Sequence, residues 1–244
     1  LAKGVGEALV VTGSLMTGKG RLLGQFDVFP WGDAWFLLCE SSIAENLQAT
    51  LERFVILDDV EVELCPALRV ASLQGASALK LISSLLEHEH SEEKLSSRPI
   101  FDCSLTLLKK RCLEGGVDIV LGSAADAALF DEFIATNAIS TALPDAIEQE
   151  RIELGLVKSG VDYEDSTLAA EVLPQGSFSY TKGCYPGQEV VARIKTYGSV
   201  AKELCQVRTE TAPFQVDQQI SLAEKSIGRI CSVVKSSRQN GYVG

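Results

Sequence analysis

The chain has 244 residues, 46% of them hydrophobic, which is enough apolar material for a packed core in one or two domains and too much for a disordered polypeptide. Its formal net charge of −11 excludes wide contact with DNA or an anionic membrane, because such contact needs extended basic surface. A local basic patch leaves room for a small anion, or less readily for one stretch of RNA.

Glu7–Thr12 and Arg21–Phe29 read as strands of a hairpin, joined by the Gly-rich polar turn GSLMTGKG, and Trp35–Cys39 adds a third strand. Ser42 and Glu45 have capping-box spacing, and Ile43, Leu47, Leu51 and Phe54 recur at helical intervals, which predicts a helix over Ile43–Phe54. Val60–Leu64 alternates apolar and acidic residues, the pattern of a strand with one wet face, and Leu68–Leu73 follows as another strand. Gly75–Leu86 carries helical spacing. His88–Arg98 reads as a polar surface loop, so the H-E-H of His88 and His90, the only histidines, is taken as solvated and not as a metal site. Strands at Leu105–Leu108 and Val117–Leu121 bracket a Gly-Gly turn, and a helix is predicted over Ala124–Thr136. Both WFLLCESSIAENLQATLERF and VDIVLGSAADAALFDEFI read strand, small-residue cap, amphipathic helix, which is compatible with two related α+β halves or with coincidence. Beyond Leu204 only short apolar pieces remain, Cys205–Val207, Gln219–Leu222 and Ser226–Val234, which suggests a small β domain.

The seven cysteines are odd in number, irregularly spaced and without a CxxC pair, as expected for reduced thiols in a cytosol-like compartment. Core packing is the expectation for Cys39, Cys65, Cys103, Cys112, Cys205 and Cys231. No apolar run is long enough for a membrane span and no targeting segment is visible, while Leu1 and Gly244 suggest that both ends are trimmed.

The chemistry concentrates in Ser179–Leu204, where four cations, Lys182, Arg193, Lys195 and Lys202, stand against Glu189 and Glu203 in an otherwise acidic chain. Within KGCYPGQE, Gly183 and Gly187 permit positive φ or close approach, and Pro186 suits the first turn of a helix. They hold Cys184 and Tyr185 on a tight bend, with Gln188 and Glu189 opening the helix. On residue type alone, a buried cysteine in a well-formed turn is the favoured reading over a reactive one.

KGCYPGQE, followed by VVAR and TYG, resembles the signature of the YgfZ family of folate-binding proteins, which are related to the aminomethyltransferase (T-protein) of the glycine cleavage system. ERIELG at Glu150–Gly155, with Gly160, Asp162 and Thr167–Glu171, resembles the part that precedes the signature. Lys19–Phe29 and Leu51–Val62 resemble the early strand-helix region, and the family's opening segment is absent before them. The resemblance implies an α+β fold: a bilobed folate-binding body over residues 1–200 with a central cleft, and an incomplete C-terminal β-barrel over 201–244. It implies tetrahydrofolate, or a derivative, as cofactor, with Glu153 as the carboxylate that accepts the neighbouring N–H donors of the pterin. Lys182, Tyr185, Gln188 and Glu189 would form a wall of the site, and Arg193, Lys195 or Lys182 would meet the carboxylates of the folate tail.

The same resemblance implies an accessory role in assembling or repairing iron–sulfur clusters of selected enzymes, including tRNA-modifying radical enzymes, with client or assembly proteins as partners. Cys184 would then be the reactive group: a thiolate is a nucleophile and a soft ligand for iron, though one cysteine cannot hold a cluster alone. The alternative is a folate-dependent one-carbon transferase. Against it, the strand that in aminomethyltransferases holds an Asp pair has Gly24 and Gln25 here, with Asp27 two positions on and facing as Gln25 does. The bacterial cytoplasm is the default location, or the mitochondrial matrix if the source is eukaryotic.

Overall fold

In the computed structural model the described residues are 10–31, 33–75, 77, 78, 80, 81, 106–109, 116–198 and 200–244. They form two compact units: one takes its described part from residues up to Gly13 and Gln25–Thr141, the other from Ser14–Gly24 and Ala142–Gly244. The second unit therefore runs continuously across residue 200.

The first sheet has the order β1 (Val11–Met16), β2 (Leu22–Trp31), β3 (Ala34–Cys39). Alternation along β2 buries Leu22, Gly24, Phe26 and Val28 and leaves Leu23, Gln25 and Asp27 on the less buried face, as strand periodicity requires. The hairpin differs from expectation at its turn: β1 continues through Ser14 to Met16, and only Thr17–Gly20 reverses the chain. Met16 is buried in the core of the second unit, so the polar-looking GSLM segment is held as strand by what its last side chain packs against.

Helix α1 (Ser41–Glu52) buries Ile43 and Leu47, one turn apart. The expected capping box does not form: the N-cap is Glu40, without a side-chain cap bond, and Ser42 Oγ turns to Glu40 Oε2 at 3.5 Å. Val60–Leu64 is not a strand. It pairs with no strand among the described residues, with Val60 and Leu64 exposed, because alternation makes a strand only where a neighbour supplies the ladder. The second sheet orders β4 (Arg69–Leu73), β6 (Val117–Leu121) and β5 (Thr106–Lys109) with β6 central and both pairs antiparallel. All five residues of β6 are buried, and Asp118 is accommodated there by Ser72 Oγ at 2.5 Å. Helix α2 (Ala124–Thr136) starts where expected, with Ser123 Oγ accepting the Asp126 N–H at 3.1 Å, and seats Phe130 against Leu73, Val117, Ile119 and Leu121. The predicted helix over Gly75–Leu86 lies largely outside the described residues, as do both histidines, Cys103 and Cys112.

The second unit contains α3 (Pro144–Glu153), the one-turn α4 (Ala169–Val172) and α5 (Gln188–Tyr197), around a core of Met16, Leu22, Tyr163, Ala169, Leu173 and Val191. Its C-terminal strands are β7 (Arg208–Thr209), β8 (Gln219–Leu222), β9 (Lys225–Arg229), β10 (Val234–Lys235) and β11 (Tyr242–Val243). These make a small β10-β11-β7 sheet and a β8-β9 hairpin; among the described residues no closed barrel is found. Cys65 and Cys205 are exposed and Cys39 and Cys231 half-buried, so core packing does not hold for the first two: their flanking apolar pieces lie in irregular segments. Among the described residues no helix is long and apolar enough to cross a membrane.

The tip of the hairpin meets the KGCYPGQE turn backbone to backbone. Gly187 has φ 82°, and a Cβ there would lie 2.8 Å from Thr17 O and 3.0 Å from Gly20 Cα. Gly187→Ala is expected to destabilise the protein by about 1–3 kcal/mol through left-handed strain and overlap. Gly183→Ala, whose Cβ would meet nothing within 4 Å, should stay within about 0.5 kcal/mol. Urea unfolding of both variants checks the contrast.

Candidate functional site

The signature turn is assembled by local bonds. Tyr185 Oη donates to Ser179 O at 2.7 Å, the Lys182 N–H donates to Ser179 Oγ at 3.2 Å, and the Gln188 N–H donates to Tyr185 O at 3.2 Å. Gly187 is the left-handed N-cap of α5, so the helix begins at Gln188 and Pro186 stands before the cap, not in the first turn. Val191 is the buried anchor of α5, fixing the turn onto the unit's core.

This arrangement gathers aromatic rings and cations. Lys182 Nζ lies 4.7 Å from the Tyr185 ring centroid and Lys195 Nζ lies 3.8 Å from that of Tyr180. Both rings pack at the edge of the core, and burial, then the neighbouring Tyr180, push the Tyr185 phenol above its ordinary range. Cys184 sits exposed between Lys182 and Tyr185 in sequence, accessible to reagents and partners. Glu189 and Arg193 pair with each other at 2.9 Å across one helical turn; with 84% and 72% of their side chains exposed, the pair contributes little to stability. Gln188 is half-buried at the head of α5.

Glu153 stands at the last residue of α3 with only 3% of its side chain exposed. Its carboxylate accepts the Ser237 N–H at 2.5 Å on Oε1, and Arg238 Nε lies 3.3 Å from Oε2. Ser237 Oγ reaches both oxygens, at 3.3 and 3.2 Å. Burial works against the ionised form, but the bonds from Ser237, Ser236 and Gln149 outweigh it and hold the carboxyl below the usual carboxylate range. Apart from Gln149, the side-chain contacts of Glu153 are thus with Ser236–Arg238, while the signature residues bond among themselves. Ser237 and Arg238 carry no sequence signal, since they stand 84 and 85 positions from Glu153 and belong to no motif.

The neighbouring Arg151 has a structural task. One guanidinium nitrogen, Nη1, donates to Asp162 Oδ2 and Leu156 O, both at 2.5 Å, and Nη2 donates to Glu148 at 2.9 Å. Asp162 also accepts the Lys158 N–H at 2.9 Å and Ser232 Oγ at 3.2 Å. Arg151 therefore ties the end of α3 to the 156–162 loop and, through Asp162, to the C-terminal segment. Among the described residues no cluster of three or more His, Cys, Asp or Glu side chains could hold a metal ion.

No protein-family model matches the chain. A tRNA-modifying protein YgfZ of Colwellia psychrerythraea is 25% identical over 230 residues, covering 91% of this chain and 66% of that protein. The YgfZ of Vibrio vulnificus is 24% identical over 227 residues, covering 90% and 64%. A putative chloroplastic transferase of Arabidopsis thaliana is 34% identical over 68 residues, 28% of this chain. The chain thus spans a little under two thirds of the length of these YgfZ relatives. Among solved structures, the glycine cleavage system aminomethyltransferase T of Bartonella henselae superposes with a TM-score of 0.80 at 16% identity, covering 98% of this chain and 68% of that one. The resemblance to the YgfZ family holds over most of the chain, and the fold is that of the aminomethyltransferases.

Two outcomes follow from the polar contacts. Replacing Arg151 by Ala leaves the Asp162 carboxylate, 5% exposed, without its ion partner, with an expected loss of about 3–5 kcal/mol in urea unfolding. The lowered pKa of Glu153 contributes stability that is complete above the ordinary glutamate range and disappears as pH falls through the lower folded-state value. Urea midpoints measured across acid pH should therefore show wild type and Glu153→Gln converging as pH falls; a constant gap would contradict the assignment.

Proposed function

We propose that the chain is a tetrahydrofolate-binding accessory protein that supports assembly or repair of iron–sulfur clusters in selected enzymes, tRNA-modifying ones among them. The observation that supports this most is the nearly enclosed Glu153 carboxylate, which meets one N–H donor on each oxygen. Such a carboxylate is chemically matched to a flat heterocycle carrying adjacent N–H groups, the donor set of a reduced pterin. The YgfZ name of the relatives supports the tRNA-related role, and the aminomethyltransferase-like fold supports a folate cofactor.

In this reading Glu153 orients the pterin. Lys182, Tyr185, Gln188 and Glu189 line the site, and Arg193 or Lys195 receives the anionic tail, Arg193 by giving up its exposed pair with Glu189. Tetrahydrofolate would supply a one-carbon acceptor or donor at its reduced ring. Cys184, exposed on the turn, offers a thiolate to iron or to sulfur of a client's cluster, and shares that contact with the partner's own ligands because one thiolate does not hold a cluster. The small C-terminal sheets are read as part of a barrel, and the setting as the bacterial cytoplasm.

A one-carbon transferase is the second reading. One observation favours it: Asp27 shares the less buried face of β2 with Gln25 and accepts Thr12 Oγ1 at 2.7 Å, so that face does carry a positioned carboxylate.

Calorimetric titration of tetrahydrofolate tests the cofactor. Saturable binding is expected, weakened at least about tenfold in Glu153→Ala, the size of a lost charge-assisted hydrogen bond. Cys184→Ala should bind folate as wild type does, yet fail to support a cluster-dependent tRNA-modifying enzyme in cells lacking the native gene. No saturable binding to the wild type would remove the folate reading. Full support of the enzyme by Cys184→Ala would remove the role of the thiol. Turnover of an aminomethyl donor with tetrahydrofolate to methylene-tetrahydrofolate and ammonia, lost in Asp27→Asn, would favour the transferase.

A further inference from the structure

Apart from Gln149 on its own helix, the partners of Glu153 come from one short strap, residues 234–238, laid along α3. Gln149 Nε2 donates to Lys235 O at 2.8 Å, Ser237 and Arg238 meet Glu153, and Arg238 Nη2 donates to Glu150 Oε2 at 2.5 Å. The contacts between strap and helix are thus polar and strung along one edge. Between α3 and the first half of the strap the surface carries an open hollow of about 300 Å³, lined by Asp145, Gln149, Val234, Lys235 and Ser236. β10 itself is a two-residue strand, paired only with the two residues of β11. The turn that follows is closed by the Ser236 N–H on Gly241 O at 3.0 Å, with Gly241 at φ 109° and a Cβ position 2.0 Å from Thr209 O. Polar contacts beside an open hollow, on a ladder of two residue pairs, mark the strap as a segment suited to local opening.

What the strap offers Glu153 is also specific. A backbone N–H on Oε1 and a guanidinium Nε–H near Oε2 form a two-pronged donor, the same pattern that an amidine-type heterocycle presents to a carboxylate. We infer that the 234–238 strap is an internal stand-in for the ligand of Glu153: its donors satisfy the carboxylate and must lift away before a heterocycle with adjacent N–H donors takes their place. This rests on the reading of Glu153 as the pterin carboxylate. The strap keeps a nearly enclosed charge paired when no ligand is present, which avoids the penalty of an unpaired one. It also sets the affinity, because every ligand must first offset the strap's own bonds.

The experiment combines amide hydrogen exchange with calorimetry, using tetrahydrofolate as the probe on wild type and Arg238→Ala. Expected are protection of the Ser237 amide in the free protein, its loss on addition of tetrahydrofolate, and roughly two- to fivefold tighter binding by Arg238→Ala, the size of one partly exposed ion pair. Binding seen only in Arg238→Ala would also support the strap, as a closed one. Tetrahydrofolate that binds both proteins equally while the Ser237 amide stays protected overturns the strap and leaves the folate reading standing. No binding by either protein overturns both.

Discussion

The close approach of two left-handed glycines organises the second unit. Gly20, at φ 73°, and Gly187, at φ 82°, meet at the tip of the first hairpin, and side chains at either position would collide: a Cβ at Gly20 would lie 2.9 Å from Val190. With no side chain between them, Thr17–Gly20 seats directly under the head of α5. The next residues then tie in: Leu22 N–H donates to Thr167 O at 3.0 Å and Ala169 N–H donates to Gly20 O at 2.9 Å. A segment near the start of the chain thereby becomes part of the core built by its last hundred residues, with Met16 and Leu22 beside Val191 and Leu173. The end of the signature turn at Gly187 is in consequence packed against the hairpin, while Cys184, three residues before it, is exposed.

The end of α3 has the complementary part. Three polar residues there divide the labour: Glu150 and Glu153 face the 236–238 strap, while Arg151, turned the other way, grips Asp162 and Glu148. The helix interior places residues three apart on one face, so Glu150 and Glu153 act together and Arg151 does not join them. Structural and functional demands on one short motif are thus separated by helical geometry alone.

The elements that were legible in the sequence are those whose stability is local or periodic. The helix over Ala124–Thr136 was readable from its serine cap and apolar stripe, and β2 from its alternation, including the shared facing of Gln25 and Asp27. Where a partner decides, pattern misled. Val60–Leu64 alternates as a strand should and has no strand beside it among the described residues, whereas Ser14–Met16 looks like turn and is strand because Met16 is buried. The apolar pieces around Cys65 and Cys205 suggested burial, which irregular exposed segments did not provide.

For the site, KGCYPGQE announced itself because glycines at bends and a cysteine between a lysine and a tyrosine are chemically unusual residues at close spacing. ERIELG was legible as a motif, but not the division of roles within it. Residue type and spacing by themselves determined where chemically unusual residues cluster, since backbone freedom, thiol character and charge belong to individual residues. Which groups satisfy one another was decided by tertiary structure: the pairing of Glu153 with Ser237 and Arg238, the rings beneath Lys182 and Lys195, and the mutual spending of Glu189 and Arg193. The reason is that a hydrogen bond or ion pair depends on distances of about 3 Å, which only the packed chain sets between residues far apart in sequence.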